Sequence, residues 1–288
     1  MFPNDFEYDA PTTVANALAA LARGGADARP LAGGQSLLPL MKLRLAQPPA
    51  LVDLGRISAL NYIREQGDQL HIGATTTHYQ VTSSAVVQRR CPVLSEAAGL
   101  IGDPMVRNRG TIGGSLAHAD PGADLPAVML ALDAELVCTS TTGTRTVRAG
   151  DFFVDLFTTA LRQGELLTEI RVPVTAAGTG AAYVKFPHPA TRFALTGVAT
   201  RVTVANGAIQ RAAVALTGAT GRALRLTAVE QALTGRPAND ATVNEAAAKA
   251  AAGWEPLGDF HASEEYRQHL AQVGAARALK IAIARATG

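Results

Sequence analysis

Two short glycine-rich segments contain the residues best suited to hold a ligand. In each, a pair of adjacent glycines is followed within two positions by a serine. Adjacent glycines adopt backbone angles closed to other residues and let the main chain approach a ligand closely. Successive free N–H groups in such a turn form a concave nest for a phosphate oxygen, and serine adds a hydroxyl. The first segment is Ala32, Gly33, Gly34, Gln35 and Ser36, and the second is Thr111, Ile112, Gly113, Gly114 and Ser115.

The occurrence of two such segments narrows the class of ligand. A single Gly-Gly pair usually marks an ordinary tight turn. Two pairs with the same trailing hydroxyl indicate a ligand with two adjoining phosphates, held by one turn from each side, and FAD is such a dinucleotide. Neither the G-x-G-x-x-G fingerprint after a strand nor the P-loop pattern G-x-x-x-x-G-K-[ST] occurs, so a Rossmann domain and a P-loop are both unsupported.

Composition and charge exclude several other classes. The chain has 288 residues, enough for one large domain or two to three smaller ones. Its formal net charge is +2. It has no basic stripe of the kind that binds nucleic acid. No apolar run approaches the roughly 20 residues of a membrane span. Because the acidic N-terminus lacks signal-peptide features, we expect a cytoplasmic protein.

The metal-binding residue types are too few or too dispersed to predict a metal site. Cys91 and Cys138 are the only cysteines and lie far apart. They cannot by themselves build a four-thiolate iron–sulfur cluster or a structural zinc site. The six histidines form no H-E-x-x-H helix. We therefore expect that this chain binds no metal.

The elements that must position the two segments form a mixed first part and a more regular tail. In the first part we predict helices over 14–23, 93–100 and 125–132, with Thr12 or Thr13 as the first cap, and strands over 29–32, 51–54, 70–74 and 134–139. A domain boundary is predicted near 175–180. Antiparallel strands over 182–186, 194–205 and 209–217 follow, with Asn206 and Gly207 as a hairpin turn. Helices over 226–233, 241–252 and 264–286 close the chain, and Ser263 caps the last.

Longer segments around these residues resemble one family. Residues 32–42, 72–78 and 107–121 resemble the FAD-binding medium subunit of molybdenum hydroxylases, and residues 185–189 and 193–194 add a further match. That family includes the xanthine dehydrogenases and aerobic carbon monoxide dehydrogenase. The resemblance runs nearly from end to end.

The resemblance implies an α+β fold. It is a vanillyl-alcohol-oxidase-type FAD-binding domain of two α/β subdomains, followed by a C-terminal domain of three strands and three helices. We place the FAD-binding domain at 1–176, with subdomains of about 1–55 and 56–176, and the C-terminal α+β domain at 177–288. The independent prediction for the tail agrees with this fold.

The resemblance also implies a function as an oxidoreductase subunit. Such a subunit carries one non-covalent FAD, takes electrons from the [2Fe–2S] clusters of a small iron–sulfur subunit and passes them to an external acceptor. Substrate is oxidised at the molybdenum cofactor of a large molybdopterin-binding subunit, and the assembly is expected to be a dimer of heterotrimers. The substrate stays open among carbon monoxide, purines, other N-heterocycles and aldehydes, and the acceptor among quinone, NAD and oxygen.

The resemblance assigns roles to individual residues. The two glycine segments correspond to the loops that hold the FAD pyrophosphate. Asp124 corresponds to an acidic residue placed against the flavin side chain. It is also a candidate N-cap of the following helix, and the two roles are compatible. Lys185 corresponds to a lysine near the isoalloxazine ring, where a positive charge stabilises reduced flavin. The alternative for Lys185 is a side chain that points outward from a strand.

No catalytic constellation accompanies these motifs, which is typical of an electron-transfer subunit. His78 and His118 are candidate proton donors, with hydrogen-bonded structural histidines as the commoner case. Two rival functions stay open: a self-sufficient flavin oxidase or reductase, which needs its own substrate cap and general base, and a cofactor-free assembly or scaffold protein.

Overall fold

The first of three main sheets is small and parallel. The computed structural model describes residues 2–288. Thr13 caps the first helix, because its hydroxyl accepts a hydrogen bond from the N–H of Asn16. The strands pair in the order β1-β3-β2. The elements are β1 (Glu7–Asp9), α1 (Val14–Arg23), β2 (Arg29–Leu31), α2 (Leu37–Lys42) and β3 (Ala50–Asp53).

The second sheet is antiparallel. In the sequence, its strands come before and after most of the helices of the first part of the chain. Its order is β4-β5-β10-β6-β7, and β8 and β9 form a separate hairpin. The elements are β4 (Ile63–Gln66), β5 (Gln69–Gly73), α3 (His78–Ser83), α4 (Ala85–Arg90), α5 (Pro92–Gly99), α6 (Pro104–Arg109), α7 (Ile112–His118), α8 (Asp124–Leu132), β6 (Glu135–Ser140), β7 (Gly143–Arg148), α9 (Ala149–Phe152), β8 (Phe153–Asp155), β9 (Thr158–Thr159) and β10 (Leu166–Pro173).

Helix α8 lies at the centre of the largest hydrophobic core. All nine of its residues are buried. It packs against α5 and against strands of the second and third sheets. A helix that is apolar on every side is stable only where protein surrounds it. Asp124, the first residue of this helix, is buried with it.

The third sheet and its helices form the tail. The strand order is β11-β12-β13-β14, all antiparallel. The three long strands and three helices confirm the predicted tail, and the two-residue β14 is an addition. The elements are β11 (Thr179–Pro187), β12 (Ala194–Ala205), β13 (Ala208–Thr217), β14 (Leu224–Arg225), α10 (Thr227–Leu233), α11 (Asp240–Ala247) and α12 (Glu264–Thr287).

Local signals in the tail behave as expected, with one exception. Asn206 and Gly207 both have positive φ, 52° and 72°, as a type I′ hairpin turn requires. The hydroxyl of Ser263 accepts a hydrogen bond from the N–H of Tyr266 and so caps α12. The helix predicted over 241–252 is shorter, because the chain leaves α-helical geometry after Ala247 and continues as a 3-10 turn. None of the helices within residues 2–288 is both long and apolar enough to cross a membrane.

Candidate functional site

A cavity of about 390 Å³ lies where segments from the first two sheets meet the loop between β11 and β12. Its wall is formed by Leu54 and by residues from within the ranges 29–37, 74–78, 101–124, 161–167 and 191–193. Every predicted site residue lines it except Ile112 and Lys185. Ile112 is fully buried in the hydrophobic core, so its side chain faces away from any ligand.

The two glycine segments touch each other along this wall. A Cβ placed on Gly33 would lie 2.1 Å from the carbonyl oxygen of Arg109 and 2.7 Å from Cα of Gly110. A Cβ placed on Gly114 would lie 3.8 Å from Cβ of Ala32. The segments therefore lie side by side at the cavity wall, and the arrangement of one turn on each side of the ligand stays a prediction. Gly33 is needed for this contact, because any side chain would force the segments apart.

The first segment has the free donors that a phosphate nest needs. Gly34 has a φ of +75°, which favours glycine. Within residues 2–288, the backbone N–H groups of residues 33–36 have no hydrogen-bond acceptor. The hydroxyl of Ser36 makes no capping bond to α2. Four successive donors at a cavity wall are suited to bind an anion.

The second segment is not a turn, and that prediction was wrong. Thr111 is the N-cap of α7, and its hydroxyl accepts a hydrogen bond from the N–H of Gly114 at 3.1 Å. Both glycines of the pair therefore lie in the first helical turn and have no positive φ. The N–H of Ser115 donates to the carbonyl of Thr111.

Two further donors of the second segment bond to residues 74–76, between β5 and α3. The N–H of Ile112 donates to the carbonyl of Thr76, and that of Gly113 donates to Ala74. A Cβ on Gly113 would lie 2.5 Å from Cβ of Ala74, so this glycine permits close packing. The second segment thus offers a ligand a bare surface at Gly114 and the side chain of Ser115, with no free nest.

Asp124 and Lys185 form a buried ion pair next to the cavity. Lys185 Nζ lies 2.7 Å from Asp124 Oδ2 and donates to the carbonyl of Leu100 at 3.1 Å. The two side chains are only 3% and 4% exposed. The interpretation of Lys185 as an outward-pointing strand residue is therefore wrong. The ammonium reaches the site through the carboxylate of Asp124, which itself lines the cavity.

Asp124 is committed to this network and does not cap α8. The N-cap is Ala123, and Asp124 is the first helical residue. Its Oδ1 accepts a 2.5 Å hydrogen bond from the hydroxyl of Tyr183. Burial raises the pKa of the Asp124 carboxyl, while Lys185 and Tyr183 oppose that shift. Burial, together with the charge of Asp124, raises the pKa of Tyr183 well above its usual value.

Sequence reasoning missed Tyr183, although a signal was present. Residues two apart in a strand share a face, so Tyr183 and Lys185 point to the same side of β11. The backbone opposite them is Gly197, which pairs with Lys185 in the sheet. A Cβ on Gly197 would lie too close to the hydroxyl of Tyr183. Gly197 thus leaves the space that this hydroxyl needs to reach Asp124.

The two candidate proton donors have lowered pKa values in this fold, so neither holds a proton to donate at pH 7. His78 begins α3, donates its backbone N–H to Gly110, and has no partner for Nδ1 within residues 2–288. Burial lowers the pKa of His78 to about 4, with a further contribution from Arg107. Burial also lowers the pKa of His118, whose ring lies 5.1 Å from that of Phe157. Both imidazoles line the cavity in a form that is neutral at pH 7.

Comparison with protein families identifies the chain. Residues 4–175 match the FAD binding domain in molybdopterin dehydrogenase, and residues 181–282 match the CO dehydrogenase flavoprotein C-terminal domain. The chain belongs to this flavoprotein family. This is the family that the sequence motifs resemble. Its members are oxidoreductases, and the chain contains its FAD-binding domain.

Individual relatives match over the full length. The chain is 44% identical to the carbon monoxide dehydrogenase medium chain of Hydrogenophaga pseudoflava, with 99% of both chains covered. It is 39% identical to the alpha subunit of the 6-hydroxypseudooxynicotine dehydrogenase complex of Paenarthrobacter nicotinovorans, with 99% and 97% covered. The solved carbon monoxide dehydrogenase from Hydrogenophaga pseudoflava that lacks the Mo-pyranopterin moiety matches with a TM-score of 0.96 at 46% identity, with 99% of both chains covered. These matches confirm the predicted family and fold.

The residues present at the cavity fit FAD. A diphosphate needs several converging hydrogen-bond donors and a wall without side chains. The free N–H groups of residues 33–36 and the bare surface at Gly114 supply both.

Proposed function

We propose that this cavity binds FAD non-covalently and that the chain is the electron-transfer subunit of a molybdenum hydroxylase. Electrons arrive from [2Fe–2S] clusters on a small partner subunit and leave for an external acceptor. The observation that carries the proposal is the set of four free backbone N–H groups at residues 33–36. They lie beside the second glycine segment, in a domain that matches an FAD-binding family. Bound FAD accepts two electrons and can release them singly or in pairs.

The pyrophosphate rests on the first segment in this proposal. Residues 33–36 donate backbone N–H groups to the phosphate oxygens, and Ser36 adds a hydroxyl. Gly114 allows the phosphates to approach α7 closely, and Ser115 contributes its side chain. The two segments therefore contribute different groups, hydrogen-bond donors from the first and close approach from the second. No histidine or cysteine lies in either segment to form a covalent link.

The Asp124 end of the cavity would receive the ring system of the flavin. Lys185 does not contact the ring directly, because Asp124 stands between its ammonium and the cavity. The pair carries no net charge when both groups are ionised. Its effect on the flavin therefore depends on keeping Asp124 paired, which makes Lys185 a residue that acts through Asp124.

The partners follow from the relatives. The relatives are named as medium chains or as subunits, which implies a complex of several chains. We propose a dimer of heterotrimers in the cytoplasm, with a large subunit that holds the molybdenum cofactor and oxidises the substrate. The named relatives serve carbon monoxide, 6-hydroxypseudooxynicotine and glyceraldehyde, so similar medium chains operate with different substrates.

The experiment that tests this proposal is flavin retention by matched glycine variants. Gly114→Val places a branched side chain on the cavity wall, with its Cβ 2.7 Å from the hydroxyl oxygen of Thr111, and should abolish FAD retention. Gly150→Val is the control, because a Cβ at Gly150 meets nothing within 4 Å. Acid precipitation of the wild-type protein should release the flavin into the supernatant. Full FAD occupancy in Gly114→Val would refute the assignment of the site.

The rival functions predict different results in the same preparation. A self-sufficient oxidase or reductase would turn over substrate as an isolated chain. A scaffold protein would be colourless, with no flavin absorbance. We expect a yellow chain that is reduced by substrate only when the large and small subunits are present.

A further inference from the structure

The loop between β11 and β12 is held by hydrogen bonds to one residue, His188. Its ring Nδ1 accepts hydrogen bonds from the N–H of Ala190 at 3.2 Å and of Thr191 at 3.1 Å. Its backbone carbonyl accepts the N–H of Arg192, and its own N–H donates to the carbonyl of Phe193 at 2.7 Å. His188 therefore makes four hydrogen bonds to a loop of five following residues.

The same loop forms part of the cavity wall. Thr191, Arg192 and Phe193 line the cavity, although none was among the predicted site residues. The loop continues the wall near Asp124, because a Cβ on Gly122 would lie 3.3 Å from Cβ of Phe193. Arg192 has a φ of 63°, a conformation that a non-glycine residue keeps only when its surroundings hold it.

The ring of His188 is supported from the other side by the segment before α12. Its centroid lies 4.1 Å from that of His261, at an interplanar angle of 83°. The N–H of His261 donates to Asp259, whose carboxylate pairs with the buried guanidinium of Arg267. The imidazole thus lies between the loop and the segment before α12. This support fixes the position from which Nδ1 accepts its two hydrogen bonds.

We propose that His188 is a positioning residue that holds residues 189–193 closed against the Asp124 end of the cavity. It acts through Thr191, Arg192 and Phe193 and does not itself contact the cofactor. This inference rests on the proposed FAD site. With the Nδ1 acceptor removed, two backbone N–H groups lose their partner, and the loop opens more often. Loss of about two hydrogen bonds corresponds to an increase on the order of tenfold in the open population.

Two amide variants separate the acceptor from other properties of the side chain. His188→Asn places an amide oxygen close to the position of Nδ1 and keeps the acceptor. His188→Gln carries the same group one methylene further out and displaces it. His269→Gln, at an exposed position on α12, controls for the loss of a histidine elsewhere. The two amides differ little in polarity, so global unfolding of one alone is not expected.

The measurement is hydrogen exchange of the peptide that contains residues 188–193, followed by the rate of flavin release from the assembled complex. In His188→Gln, we expect exchange of the Ala190 and Thr191 amides and flavin release each to be faster by about tenfold. His188→Asn and His269→Gln should match the wild type in both. The inference is wrong if His188→Gln matches the wild type, if His188→Asn is as fast as His188→Gln, or if exchange changes without flavin release.

Failure of the FAD proposal would look different. A wild-type complex that contains no flavin would refute the proposed function, and with it the role of the loop at a flavin site. A wild-type complex that binds FAD, with exchange and release unchanged in His188→Gln, would refute only the inference about His188. The exchange experiment needs no flavin, so the two results are read independently.

Discussion

The buried pair of Asp124 and Lys185 allows a quantitative test of the site. The variants are Lys185→Met, Asp124→Asn and the double variant. The charged atoms lie 2.7 Å apart and are almost fully buried. Removing one partner of a buried ion pair costs about 3–5 kcal/mol, because the other charge is left without compensation. In a protein of this size, 1 kcal/mol corresponds to roughly 2 °C in Tm, so each single variant should lose about 6–10 °C.

The double variant distinguishes an ion pair from two independent contributions. It leaves no unpaired charge, so its loss of stability should fall short of the sum of the two single variants by at least about 1.5 kcal/mol. Urea unfolding followed by circular dichroism gives all three free energies. Additive losses would show that the two groups do not interact, and would refute the geometry on which their role rests.

The same variants predict a pH-dependent flavin potential. Loss of the ammonium in Lys185→Met raises the pKa of Asp124 further, in the direction in which burial already shifts it. At low pH the carboxyl is neutral, and the midpoint potential should be close to that of the wild type. As the pH rises through that pKa, a carboxylate without its partner disfavours reduced flavin, and the potential should fall below the wild-type value. A potential equal to or above the wild-type value up to pH 9, at full FAD occupancy, would remove Lys185 from the flavin site.

Three further predictions concern single groups. The pKa of His78 is about 4 in the fold and 6.5 in the unfolded chain. The free energy of unfolding should therefore be higher by up to about 3 kcal/mol above pH 6.5, and this stability is lost as the pH falls toward 4. Urea unfolding of His78→Asn should lack this pH dependence, and an identical pH profile would contradict it. Cys91 and Cys138 are buried and their pKa values are raised to about 12 and about 11, so neither should react with a thiol reagent before the protein unfolds. Reaction of either thiol in the folded protein would show that burial is incomplete. Arg267→Met should cost at least about 3 kcal/mol, because the carbonyl of Leu195 in β12, the carbonyl of Gly218 after β13 and a carboxylate lose their donor. Arg267→Lys should not restore this stability, and its full recovery in urea unfolding would argue against the need for a planar donor.

Local chemistry allowed most elements to be predicted, and contacts distant in sequence explain the errors. The cap at Thr13, the hairpin at Asn206 and the cap at Ser263 depend on neighbours within a few residues. The second glycine segment is a helix start because Thr111 caps it locally, and the N–H groups of Ile112 and Gly113 bond to residues 74–76, which are distant in sequence. Lys185 turned inward because its partners lie 61 and 85 residues before it. No pattern within β11 alone records those partners.

The contact between Gly33 and residues 109–110 has a consequence for how the protein acquires its cofactor. The first segment follows a strand of the parallel sheet, whereas the second belongs to the helices that connect strands of the antiparallel sheet. In the proposed site the first unit supplies the free donors of residues 33–36 and the second supplies the bare wall at Gly114, so we expect FAD to bind once the two units have docked. Once loaded, the ligand stabilises the docked arrangement by about 4 kcal/mol at a thousandfold excess over its Kd. If FAD binds there, we expect the yield of folded protein to rise with flavin supply during expression.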